Sequence, residues 1–146
     1  MTDALVYCKN IRDLVNQLGT VYNSSECRLF IDSSNRSLKG VLLHNGNTLA
    51  SLPVAHSVQM KETYENMKIL LDNLKYDEYQ WFICGDLKVI AILLGLQSSY
   101  TKYTRVLCLW DSSADALHYK QKELPHRTHL TPGSHNVKQP TLVPPE

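Results

Sequence analysis

The spacing of apolar residues changes its period several times along the chain. Residues 11–18 place apolar side chains three or four positions apart, which is typical of a short amphipathic helix, and Gly19 is suited to end it. The polar segment 23–26 separates this helix from the next pattern. We therefore predict that residues 1–25 form an N-terminal helix and a linker.

Three runs rich in apolar and β-branched residues follow within residues 27–56. A polar segment at 34–37 separates the first two runs, and Asn45-Gly46, a dipeptide that favours a tight hairpin, separates the second from the third. Pro53 has no N–H to donate to a neighbouring strand, so the third run belongs at a sheet edge. The pattern predicts a three-stranded antiparallel meander.

The period then becomes helical. Apolar residues lie on one helical face and predict a helix over about 58–74, with Ser57 available as its cap. A buried-looking strand over about 80–85 follows. Because a strand–helix–strand connection of this length favours parallel pairing, we expect the first and fourth strands to be parallel neighbours.

The remaining pattern completes an α/β fold. Residues 87–97 predict a second helix, and residues 105–110 have the composition of a possible fifth strand. The chain of 146 residues suits one hydrophobic core, and we assign residues 26–122 to a single domain. Proline, histidine and polar residues dominate 123–146, so we expect this tail to be irregular and disordered.

Charge and targeting signals restrict the function only broadly. The formal net charge of +1 is not that of a strongly basic nucleic-acid binder, although a local basic face can still contact DNA. The sequence shows no signal peptide, and its longest apolar stretch is too short to cross a bilayer. The four scattered cysteines suit reduced thiols. We expect an intracellular protein with no membrane partner, and its oligomeric state stays open.

Two aspartates are the candidate site residues. Asp32 ends the first strand and Asp86 follows the fourth, so parallel pairing of these strands would bring both carboxylates to one sheet edge. Clustered carboxylates hold Mg²⁺ in phosphoryl-transfer sites. Each aspartate also has a structural interpretation, Asp32 as a turn residue and Asp86 as a helix N-cap, and both interpretations stay open.

The segments around these aspartates resemble a known family. Four features together resemble the catalytic core of RNase H-like (DDE-type) transposases: Leu29-Phe-Ile-Asp-Ser-Ser, the Asn-Gly hairpin, the helix from Met60, and Ile83-Cys-Gly-Asp-Leu-Lys. More narrowly, with Tyr100-Thr-Lys-Tyr, they resemble transposon-derived proteins of animal genomes, over residues 26–119. The resemblance implies an RNase H-like fold, Mg²⁺- or Mn²⁺-dependent cleavage and joining of DNA, a nuclear location, and metal-binding roles for Asp32 and Asp86.

The resemblance also implies a third acidic residue on a downstream helix. Glu123 lies too close to the fourth strand, and Glu146 is the last residue of the irregular tail, so neither matches it. We therefore expect a truncated or remnant transposase core whose acidic site is incomplete and inactive alone. An alternative of the same class is a minimal nuclease that recruits its third carboxylate from a partner chain or from Glu123.

Other polar residues have both a functional and a structural interpretation. Cysteine and histidine are common zinc ligands, but their spacing here matches no common site, which makes zinc binding doubtful; these residues are Cys108, His118, His126, His129 and His135. A second group could contact nucleic acid or simply form a solvated helix face and a loop, and comprises Lys61, Lys68, Lys75, Tyr100, Lys102 and Tyr103. The alternative function of a different class is a non-catalytic α/β module that binds nucleic acid or protein.

Overall fold

The computed structural model describes residues 5–97, 102–103, 105–113, 116, 120 and 122–144. The chain divides into two compact units, Met1–Val89 and Ile90–Glu146. The domain limits that composition suggested, after residues 25 and 122, stay predictions. Within the described ranges, no helix combines the length and the apolar character that crossing a membrane requires.

The first unit is a mixed α/β structure built on a five-stranded sheet. Its strands follow the spatial order β1-β4-β3-β2-β5, and all neighbours are antiparallel except β2 and β5. The strands are β1 (Val6–Tyr7), β2 (Cys27–Ser33), β3 (Leu38–His44), β4 (Leu52–Ser57) and β5 (Phe82–Gly85). The helices are α1 (Ile11–Gln17), α2 (Tyr64–Asn73), α3 (Tyr76–Tyr79) and α4 (Leu87–Leu93), of which α4 crosses the boundary between the units.

One face of the sheet carries the core because side chains alternate along each strand. In β2, Cys27, Leu29 and Ile31 are buried, whereas the residues between them are less so. The end of α2 covers this face, since a Cβ at Gly40 would lie 3.4 Å from Leu74 Cδ1. The predicted antiparallel meander and the parallel fourth strand are both confirmed.

The predicted sheet edge is wrong. β1 pairs with β4 beyond the third strand, so β4 lies inside the sheet. The pairing avoids the proline: β1 bonds opposite Ala55 and His56, and Cys8 N–H donates to Val54 O, whereas Pro53 lies past the end of this short ladder. A two-residue strand of this kind has no period that a sequence pattern could reveal.

The predicted tight hairpin at Asn45-Gly46 is also wrong, because β3 and β4 are joined by residues 45–51. Asn45 turns instead toward the start of β2. Its Nδ2 donates to Ser25 O at 3.2 Å, and its Oδ1 accepts from Arg28 at 3.2 Å. The positive φ falls on Asn47, at 52°. Residues 44–47 still close a turn through the hydrogen bond from Asn47 N–H to His44 O at 3.0 Å, but the pairing of β3 with β4 begins only at Leu42 and Leu52.

The helices agree with the predicted pattern except at their ends. α1 begins after its cap Asn10 and stops before Gly19, as expected. α2 begins at Tyr64, because the Thr63 hydroxyl accepts from Asn66 N–H, whereas the predicted cap Ser57 belongs to β4. The expected helix over 58–74 is therefore shorter at its start, although Met60 is still buried.

The helix α4, which crosses the boundary between the units, is shorter than predicted. It runs from Leu87 to Leu93 rather than to residue 97, because Gly95 adopts a φ of +71° and ends the helical hydrogen bonding. The backbone of Gln139 lies against this glycine: a Cβ there would stand 2.0 Å from the carbonyl oxygen of Gln139. The glycine thus permits a close approach of two backbone segments.

The second unit contains no strand at 105–110 among its described residues, so the predicted fifth strand is wrong. Cys108 makes one isolated bridge with His126, and Leu109 N–H donates to Pro125 O. Because Pro125 has no N–H to return, a regular ladder does not extend from this bridge. Residues 122–144 are irregular apart from such bridges, and they include hydrogen bonds to the end of α4, as from Leu142 N–H to Leu93 O.

Arg127 joins several loops within this second unit. Its guanidinium donates to the carbonyl oxygens of Arg105 and Val106 and to Asn136 Oδ1, at 2.7 to 3.1 Å. Burial lowers the pKa of this guanidinium, although the group stays cationic because its ordinary pKa is so high. These hydrogen bonds link the backbone at residues 105–106 and the side chain of Asn136 to Arg127.

Candidate functional site

The two candidate aspartates lie at the same end of neighbouring parallel strands. Ile31 of β2 is opposite Gly85 of β5, and these residues form the last pair in the register. Asp32 and Asp86 are the next residues, so both follow that pair at the carboxyl end of the strands. The predicted juxtaposition of the two strand ends is thus present, and both aspartates are exposed.

Gly85 allows Asp86 to stand directly before α4. A Cβ at position 85 would lie 2.9 Å from Val89 Cγ1 and 3.1 Å from Ile31 O. Any larger residue would therefore push the start of the helix away from the end of β2. The glycine is required by the packing that positions Asp86, and not by a special backbone angle.

Asp86 is also the N-cap that its sequence position suggested. Its Oδ1 accepts a hydrogen bond from Val89 N–H at 2.7 Å, which satisfies one free donor of the first turn of α4. The second carboxylate oxygen, Oδ2, receives no hydrogen bond from the described residues. A capping role and a ligand role are compatible in geometry, because they use different oxygens.

A third carboxylate at this edge has no signal in the sequence. Glu62, in the loop before α2, accepts from the Ser33 hydroxyl at 3.0 Å and forms an ion pair with Lys88 Nζ. Its side chain is only 9% exposed. Glu62 thus connects the residue after Asp32 with a residue two positions beyond Asp86.

The charges at this edge are partly balanced by lysines. Lys88 is held by Glu62, and Lys39 is the cross-strand partner of Asp32. Mg²⁺ is commonly held by one or two carboxylates, with water and substrate phosphates completing its shell. Asp32 and the second oxygen of Asp86, Oδ2, are the carboxylate groups at this edge that would hold such an ion.

A complete protein-built metal centre is absent from the described residues. They bring together no three His, Cys, Asp or Glu side chains in an arrangement that could hold a metal ion. Of the residues considered for zinc, Cys108 pairs by backbone with His126, and His135 packs edge-on against Tyr103. His118 lies outside the described residues, and so does Tyr100.

Two of the other basic candidates form surface ion pairs. Lys68 pairs with Asp72 at 3.0 Å, and this hydrogen bond raises the pKa of the lysine. Lys102 pairs with Asp111 at 3.0 Å, which raises the pKa of the Lys102 amine in the same way. Such exposed pairs contribute little to stability, so both lysines are available at small cost to an anionic partner.

Comparison with known proteins places the chain in a family. Residues 1–143 match the model of a family described as Domain of unknown function (DUF8703). The chain belongs to this family. No curated protein matches the chain, and no solved structure matches it. The DUF8703 match spans both compact units, so the family is defined by the sheet unit and the irregular unit together.

Proposed function

We propose that this DUF8703 chain is a remnant RNase H-like transposase core that keeps a weak two-carboxylate site for Mg²⁺ or Mn²⁺ and contacts DNA without cutting it alone. The supporting observation is the register that puts Asp32 and Asp86 directly after the last pair of two parallel strands. The sheet order, a meander with a parallel strand beside its first member, also supports an RNase H-like arrangement.

We expect no DNA cleavage because the site has too few metal ligands. Two-metal phosphoryl transfer needs carboxylates that clamp two ions about 3.5–4 Å apart. The described part of the chain offers the two aspartates, while Glu62 is engaged by Ser33 and Lys88. A single ion with a largely aqueous shell is the most that this arrangement can hold.

The test is a Mn²⁺ titration of ¹⁵N-labelled full-length protein followed by amide NMR. Paramagnetic broadening is expected around Asp32 and Asp86. Asp86→Ser is the informative variant, because its hydroxyl can still accept from Val89 N–H and preserve the cap while removing the carboxylate. Asp77→Ser, at an exposed position on α3, is the matched control. Broadening that persists in Asp86→Ser, or that never appears near Asp32, would contradict the metal site.

A DNA assay tests the second half of the proposal. We expect the chain to retard a short duplex at low salt, and to leave supercoiled plasmid uncut in Mn²⁺. Plasmid nicking that is lost in Asp86→Ser would contradict the inactive assignment and favour the minimal nuclease. Absence of both retardation and Mn²⁺ broadening would leave protein binding as the better account.

One observation favours the second candidate, a non-catalytic binding module. Asp86 already caps α4, and Glu62 is already bonded to Ser33 and Lys88. Both carboxylates therefore have a structural role without any metal. A dispersed amide spectrum with no selective broadening in Mn²⁺ would select this candidate. DNA retardation that is independent of Asp32 and Asp86 would then identify the partner as nucleic acid.

A further inference from the structure

A cavity lies at the opposite end of the sheet from the two aspartates. It has a volume of about 120 Å³, well above the roughly 10–15 Å³ that a single water needs. It is lined by the end of α1, the loop after it, the start of β2, the end of β3 and the loop that follows β3. Cys27 and His44, which are cross-strand partners, mark its position on the sheet.

The walls combine apolar side chains with one aromatic ring. Val15, Val21 and Leu49 line the cavity together with Tyr22. The hydroxyl of Tyr22 accepts from Trp81 Nε1–H at 2.6 Å, so the ring is held in place. Tyr22 also meets Tyr79 edge-on, with centroids 5.6 Å apart. A fixed ring of this kind offers a π surface without further loss of side-chain freedom.

The polar part of the wall is negatively charged. Glu26 is the single formally charged side chain among the ten residues that line the cavity, and its side chain is 60% exposed. The neighbouring His44 faces it, with Nε2 at 3.7 Å from Glu26 Oε2. None of the ten described residues that line the cavity is a lysine or an arginine, so the charge of the lining itself favours a cation over an anion.

The ring of His44 is held against the loop that follows β3. Its Nδ1 accepts from Gly46 N–H at 3.1 Å. The Thr48 hydroxyl lies 3.1 Å from the same nitrogen. These contacts fix the ring in the cavity wall beside Glu26.

We infer that this cavity binds a short primary alkylammonium group. The apolar walls suit the methylene chain, and Glu26 and the Tyr22 ring suit the ammonium head through charge and cation–π attraction. Free amines and lysine side chains share this chemistry. Because one exposed carboxylate contributes modestly, we expect a dissociation constant on the order of millimolar.

The test is an amide NMR titration of the full chain with n-butylammonium, beside butan-1-ol as its neutral counterpart. Saturable shifts at Asn23 and Thr48, which line the cavity, are expected with the ammonium, and weaker binding with the alcohol. Glu26→Gln should weaken ammonium binding roughly fivefold. Glu78→Gln, an exposed acid that lines a different cleft, should leave it unchanged.

Three results would overturn the inference: no saturable shifts, equal affinity for butan-1-ol, or equal weakening by both variants. Nα-acetyl-lysine N-methylamide distinguishes the two sources of the group. Binding of this compound with the same dependence on Glu26 supports a lysine side chain, and binding of butylammonium alone supports a free amine. Because Glu26 is exposed, the Gln variant should fold, and its amide spectrum checks this directly.

Discussion

Replacing Gly95 by alanine tests whether the C-terminal segment is packed or disordered. Gly95 has a φ of +71°, where an L-residue is strained by about 1 kcal/mol. Its new Cβ would also stand 2.0 Å from Gln139 O. That overlap forces residues 138–140 away and breaks the bonds from Lys138 N–H and Gln139 N–H to Gly95 O. At about 1 kcal/mol for each hydrogen bond, the total loss is about 3 kcal/mol.

Gly133→Ala is the matched control in the same unit. Gly133 has a φ of +88°, but a Cβ there would meet nothing within 4 Å, so we expect only the backbone cost of about 1 kcal/mol. The assay is urea unfolding followed by the amide peaks of Val137 and Leu142, compared with peaks from the sheet unit. Equal losses for the two variants would refute the packed segment. They would favour the disordered tail that the composition of 123–146 predicts.

Two further predictions concern single side chains of the sheet unit. Burial raises the pKa of Tyr22 from 10.0 to about 12, so its contribution to stability is intact below pH 10 and is lost as the pH rises toward 12. This pKa difference corresponds to about 2.7 kcal/mol, which we reduce to about 1 kcal/mol because the ring is partly exposed. Urea unfolding at alkaline pH should show that Tyr22→Phe removes this part of the loss of stability. Parallel pH profiles for the two proteins would contradict it. Asp86→Ala should cost about 1 kcal/mol through the lost cap of α4, whereas Asp86→Ser should cost a few tenths in the same assay; equal costs would show that the cap contributes nothing.

The sequence pattern predicted the elements that are long enough to show a hydrophobic period. Alternation in β2 and β3 and the apolar face of α2 both correspond to buried side chains. The parallel pairing of β2 with β5 followed from the connection through α2. That inference also predicted that Asp32 and Asp86 lie at one edge of the sheet.

The failures arise where a tertiary contact overrides a local preference. Asn45 and Gly46 do form a turn, but the Asn45 side chain bonds Ser25 and Arg28, and β4 begins only at Leu52, so no two-residue hairpin results. Thr63 rather than Ser57 caps α2, because β4 extends to Ser57. Residues 105–110 lack a ladder partner that can return hydrogen bonds, so their β-type composition is not sufficient to make a strand.

The candidate site was predictable only in part for the same reason. Asp32 and Asp86 carry signals in their flanking segments, but Glu62 lies in an unremarkable loop and reaches the edge only through the fold. The cavity residues come from five separate parts of the chain. Sets of this kind have no spacing rule, so the sequence alone could not bring them together.

The position of β2 between β3 and β5 has a consequence for the order in which the site can form during synthesis. The pairs of β2 with β3 and of β3 with β4 join nearby parts of the chain and can assemble as soon as residue 57 has left the ribosome. The pairing with β5 joins residues more than 50 positions apart, as Ile31 with Gly85 does. The meander that carries Asp32 can therefore form before Asp86 has been synthesised. The sheet edge with both aspartates is among the last parts of the sheet to form.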